Sequence, residues 1–125
     1  MDHQVRVLVV DDDLDALYYV DDLLAELGCY PIKATTLEDG VEILGAMNVD
    51  AVIMNAGMVA PAPPKLSERL NAVQDATPIL FMTRAGTRPE GRLSPLRRFL
   101  EHPPEIGELE QALETCTSLP ARAPR

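Results

Sequence analysis

Apolar runs and amphipathic stretches alternate from one end of this chain to the other, and that alternation predicts an α/β fold built on a parallel sheet. The runs Val5–Val10, Ala51–Met54 and Ile79–Met82, with the pair Phe99–Leu100, are short and nearly continuous, as strands covered on both faces are. Each run ends in polar residues: Asp11, Asp12 and Asp13; Asn55; Thr83; Glu101 and His102. In a parallel sheet these ends meet at one carboxyl edge, where open α/β folds build their sites. A phosphate-handling pocket is the expectation.

The elements follow in order. Gln4 to Val10 is Val-rich and reads as a buried central strand. Leu14, Leu17, Tyr18, Asp21, Leu24 and Leu27 recur mostly at three or four residues, so Leu14 to Leu27 is a helix with Gly28 behind it as a cap. Tyr30 to Ala34 is a short second strand. Thr35 and Thr36 offer N-caps to a helix over Leu37 to Met47, in which Val41, Leu44 and Met47 share a face. Val49 to Met54 is the third strand. The loop from Asn55 to Pro64 holds Gly57, Pro61, Pro63 and Pro64, and its prolines can neither continue a strand nor enter a helix interior. Helix resumes over Lys65 to Val73, and Thr77 and Pro78 lead into the fourth strand, Ile79 to Met82. Arg84 to Pro95 carries Gly86, Pro89, Gly91 and Pro95 with little apolar periodicity, so a helix there is short or distorted. Arg97 to Glu101 is the fifth strand, and Pro104 to Thr117 an amphipathic helix through Ile106, Leu109, Leu113 and Cys116. Residues 1–119 are expected to form one domain and 120–125 a disordered tail.

With 125 residues, 46% hydrophobic and 25% charged, the chain suits one globular domain and is too apolar for a disordered segment. It contains no run long enough to span a membrane and no signal-peptide pattern, so a cytoplasmic location without membrane contact is expected. Cys29 and Cys116 lack disulfide-framework or metal-ligand spacing and read as reduced thiols, Cys29 buried or half-buried near a helix end. The net charge of −9, from 20 acids against 11 bases, repels phosphate backbones and argues against direct nucleic-acid binding. The bases are unevenly placed: Arg84, Arg88, Arg92, Arg97 and Arg98 form a local basic cluster, either a solvated loop or a docking patch for an acidic partner.

The segments Val-Leu-Val-Val-Asp-Asp-Asp, Asp-Ala-Val-Ile-Met-Asn with Met58 following, Pro-Ile-Leu-Phe-Met-Thr and Phe-Leu-Glu-His-Pro together resemble the receiver domain of bacterial response regulators, the CheY-like family, to about Thr117. The resemblance implies a flavodoxin-like, doubly wound, five-stranded parallel sheet of order 2-1-3-4-5 with helices on both faces. It also implies a phosphorelay in which a histidine kinase phosphorylates an aspartate at the end of strand three. Asp11 and Asp12 match the family's magnesium-holding acids, Thr83 its phosphoryl-binding hydroxyl, and Phe99 its aromatic switch residue.

Asn55 stands where the resemblance places the phosphoacceptor aspartate, and His102 where it places a lysine before proline. An amide is no substitute for a carboxylate nucleophile, because its oxygen carries no full charge and its nitrogen lone pair is delocalised. Val59 replaces a proline after Met58, and the segment from Thr83 to His102 is shorter than the family's. The two site departures form a pair. A lysine–aspartate attraction is worth about 4 kcal/mol at about 4 Å and an effective dielectric of about 20, before desolvation. Asn55 with a neutral His102 removes one charge of each sign and leaves the local sum unchanged, which favours natural degeneration over an isolated Asp-to-Asn change.

Simpler structural roles also suit these residues. The three acids suit a helix N-terminus, Thr83 a turn cap, and Phe99 the core. His102 fits either a partner of the acids or a half-exposed strand end, with a proton switch as the sharper reading. A weak magnesium site from Asp11, Asp12, the Asn55 amide oxygen and the Gly57 carbonyl is the only cofactor expectation. The resulting expectation is a non-enzymatic, stand-alone pseudo-receiver, monomeric or weakly dimeric, that binds signalling proteins such as a histidine kinase or an output protein independently of phosphorylation. The alternative is an ordinary single-domain response regulator substituted at position 55. A small hydrolase or nucleotide-binding protein on the same fold comes third, since no Gly-rich phosphate loop follows strand one.

Overall fold

The computed structural model describes residues 4–59, 61–74, 77–84 and 97–117. Its elements are β1 (Arg6–Val10), α1 (Leu14–Glu26), β2 (Tyr30–Ala34), α2 (Leu37–Ala46), β3 (Ala51–Asn55), a 3-10 turn (Ala56–Met58), α3 (Pro64–Gln74), β4 (Ile79–Arg84), β5 (Arg97–His102) and α4 (Ile106–Thr117). The five strands form one parallel sheet in the order β2-β1-β3-β4-β5, as the resemblance implied. The expected helix between β4 and β5, most of the arginine cluster and the tail fall outside the described residues.

Strand alternation splits the core into two layers. Val7, Val9, Ile53, Leu80 and Met82 pack against Leu17, Val20 and Leu24 of α1 and Leu109 and Leu113 of α4. Leu8, Val10, Val52, Met54, Ile79 and Phe81 face Leu37 and Val41 of α2 and Leu70 of α3. Both faces of β1 and β3 are therefore buried, which is why their sequences read as unbroken apolar runs.

Local chemistry sets the element ends. Asp13 caps α1, its side chain accepting from the Asp15 and Ala16 amides, and Gly28 follows the helix at φ +78, a backbone region that glycine enters without steric cost. Of the two threonines offered as caps for α2, Thr36 takes the position and accepts from the Asp39 amide at 3.1 Å. Pro64 occupies the first turn of α3, where a missing N–H costs nothing; α4 begins after Pro103 and Pro104. Pro31 lies in the edge strand β2. Because the Tyr30 amide bonds inward to Val5, the next nitrogen points to the open edge, where proline leaves no donor for a stray strand.

Helix α2 crosses β1 closely at Gly40. A Cβ built there would lie 2.8 Å from the Cγ2 of Val10, a stiff side chain that is fully buried. Gly40→Val is expected to cost about 1–3 kcal/mol by overpacking, measured by urea denaturation. Adding Val10→Ala opens space at the contact and should return part of that loss. If the two changes simply add, the clash at this contact is not the cause.

Candidate functional site

The sheet register brings the polar strand ends together. Val10 is paired with Met54, Asn55 with Met82, and Thr83 with Glu101, so Asp11, Asn55 and Thr83 emerge side by side at the carboxyl edge. Asp11, Asp13, Ala16, Asn55, Met82, Thr83 and His102 line one small cavity of about 20 Å³, room for about one water molecule. Asp11 is 4% exposed and Thr83 6%.

The hydrogen bonds of Asn55 decide the character of this edge. Its Oδ1 accepts from the Gly57 amide at 2.9 Å, and its Nδ2 donates to Oδ1 of Asp11 at 3.2 Å. The two contacts agree on the amide's orientation: the Gly57 N–H requires an oxygen facing it and the Asp11 carboxylate requires a donor. The same Asp11 oxygen accepts from the Asp13 amide at 3.0 Å. A buried carboxylate thus receives two donors from the protein itself, as a charge removed from water must.

Magnesium does not fit this donor set as it stands. The ion takes oxygen ligands in near-octahedral geometry, whereas Asn55 presents an NH2 group to Asp11 and commits its oxygen to Gly57. Asp12, expected as the second anionic ligand, is exposed and does not line the cavity; Asp13 lines it but spends Oδ1 on the cap of α1. Among the described residues, no cluster of three or more acidic, histidine or cysteine side chains is placed to hold a metal ion.

His102 ends β5 half-buried, before a cis bond to Pro103. Its ring stands edge-on to Tyr19, centroids 5.9 Å apart at 82°, and its buried Nδ1 has no hydrogen-bond partner. The half-buried strand-end reading describes it, rather than a bonded partner of the acids. Tyr19 continues the contact by donating its hydroxyl to the Pro104 carbonyl at 2.8 Å. Phe99 is half-buried and packs on Phe81 at 5.7 Å, on the layer that faces α2 and α3. Cys29 is half-buried, and burial, followed by the nearby Asp50 carboxylate, pushes its thiol pKa up and keeps it protonated and unreactive.

Sequence reasoning named Asp13 only as one of three acids at a helix N-terminus, and it missed Tyr19. Asp13 precedes the first apolar-periodic residue of α1, the N-cap position, and that signal distinguishes it from Asp12. Tyr19 had no local signal, because its partners lie more than eighty residues away in sequence.

The sequence matches the family model described as the response regulator receiver domain over residues 7–114. Solved structures share the fold at low identity. A response regulator receiver protein from Sinorhizobium medicae is 16% identical with a TM-score of 0.73, covering 94% of this chain and 97% of that one. A CheY-like receiver domain from Methylobacillus flagellatus is 20% identical with a TM-score of 0.76, covering 91% and 99%. CheY4 of Vibrio cholerae, a chemotaxis response regulator, is 20% identical with a TM-score of 0.71, again covering 91% and 99%. No curated protein matches the sequence.

Proposed function

We propose that this chain, which belongs to the response regulator receiver domain family, is a pseudo-receiver that binds signalling proteins without being phosphorylated. The observation that carries the reading is the Asn55 amide, held between Asp11 and Gly57. In place of a nucleophile, position 55 supplies a neutral group whose N–H donates to the acidic residue beside it. The Asp11 carboxylate thereby finds two donors within the protein, the Asp13 amide and the Asn55 side chain. Magnesium binding would require Asn55 to release Asp11, so its affinity is expected to be weak. Partners are expected among the histidine kinases and output proteins that work with receiver domains.

Incubation with acetyl phosphate and magnesium tests the reading. Phosphorylation would require an oxygen anion to attack phosphorus and expel acetate, and Asn55 has none. Intact mass is expected to stay unchanged, with no phosphoryl increment. A labile adduct mapped to Asp11, Asp12 or Asp13 would overturn the proposal and return the chain to phosphotransfer.

A further inference from the structure

On the far side of β2 from the rest of the sheet, α1 and α2 flank an open groove of about 470 Å³. Its apolar surface comes from Leu14 and Tyr18 on α1 and from Ile43 and Ala46 on α2. Leu14 is 55% exposed and Tyr18 53%; one helical turn apart, they share a face that is open to solvent apart from the Lys33 side chain of β2 over the Tyr18 ring. Asp39 and Glu42 of α2 add two carboxylates, and neither has a cationic partner among the described residues.

The groove already holds one cation of its own. Lys33, from β2, sits with Nζ 5.9 Å from the centre of the Tyr18 ring and 3.1 Å from the Asp21 carboxylate. Its charge is thus spent on α1, leaving the α2 side acidic on a body of net charge −9. An aromatic face, an aliphatic floor and the carboxylates of Asp39 and Glu42 together suit a guanidinium or ammonium on an apolar stem.

We infer that this groove docks a basic, apolar segment of a partner protein, with an arginine or lysine on the Tyr18 ring facing Asp39 and Glu42 and an adjacent aliphatic side chain against Leu14 and Ile43. The inference deepens the reading of the chain as a protein-binding module by naming a surface and a partner chemistry. Its test is separate from Asn55: phosphoryl labelling would overturn the pseudo-receiver reading and leave the groove untouched.

The test is a titration of the full chain, isotopically labelled, with the hexapeptide acetyl-Leu-Arg-Leu-Ala-Arg-Leu-amide, followed by backbone amide shifts. Shifts are expected at residues 14–18, 33–35 and 39–46. The double change Asp39→Asn with Glu42→Gln should weaken binding about fivefold, the size of one exposed ion pair. Lys33→Ala, which frees the Tyr18 face and Asp21, should tighten it about twofold to fivefold. The same peptide with glutamate for arginine should not bind. Equal binding of the glutamate peptide, indifference to both variants or shifts centred elsewhere would overturn the inference. So would the same shifts arising without peptide as protein concentration rises, since a second copy would then be the occupant. Thermal melts matching the parent protein exclude misfolding of the variants as the cause of altered binding.

Discussion

Asn55→Asp is expected to destabilise the magnesium-free protein by about 2–4 kcal/mol and to make its stability depend on magnesium. The amide now donates to Asp11 at 3.2 Å; a carboxylate there removes the donor and sets two anions in contact. Two unit charges at about 4 Å repel by about 4 kcal/mol at an effective dielectric of about 20, and partial protonation of the pair relieves some of it. The new carboxylate is also the oxygen ligand that a divalent cation requires. Binding to the folded state alone then stabilises the variant by about 2.7 kcal/mol when magnesium reaches about one hundred times its dissociation constant. Urea denaturation with and without magnesium chloride is the measurement, and the parent protein should respond little. A variant as stable as the parent without magnesium would show that the Asn55–Asp11 contact contributes nothing to holding the edge together.

The fold was legible because its signals are redundant. Val7 to Val10 and Val52 to Met54 are buried on both faces, so each strand spelled itself as an unbroken apolar run between turn residues. The Gly28 cap and the repeat of Leu14, Leu17, Leu24 and Leu27 marked α1, whose range is Leu14–Glu26. Boundaries were read less well where polar residues extend an element. The third strand includes Asn55 and starts at Ala51 rather than Val49, because strand pairing rather than hydrophobicity sets its ends. Likewise α4 starts at Ile106, two residues after the second of two prolines.

The site was legible as a set of positions and not as a set of bonds. Parallel pairing alone places Asp11, Asn55, Thr83 and His102 at one edge, and all four line the same cavity. Which way the Asn55 amide faces depends on the Gly57 backbone, which the 3-10 turn swings toward it. The different fates of three consecutive aspartates follow from where α1 begins: Asp13 takes the cap, Asp11 remains buried at the strand end and Asp12 is left in solvent. The packing of His102 on Tyr19 joins the end of the sheet to α1 and has no counterpart in local spacing.

Restoring both charges is expected to restore phosphoryl acceptance. In Asn55→Asp alone the new carboxylate supplies the nucleophile, yet among the described residues no lysine or arginine lines the cavity it shares with Asp11, Asp13 and Thr83. Labelling by acetyl phosphate should be detectable in magnesium and slow. His102→Lys adds an ammonium from the end of β5, where the histidine side chain already lines that cavity, and the flexible stem of lysine can bring the charge toward the carboxylates. The ammonium offsets the repulsion between Asp11 and the new aspartate and stabilises charge on the phosphoryl oxygens during transfer. Loss of one such preorganised electrostatic donor commonly costs a hundredfold or more in rate, so a gain of about tenfold over Asn55→Asp is a conservative expectation for an engineered lysine. Intact mass against time measures it, with the parent chain unlabelled throughout. If the double variant binds magnesium and still accepts no phosphoryl group, the defect lies beyond this charge pair, and Asn55 and His102 are consequences of a lost activity rather than its cause.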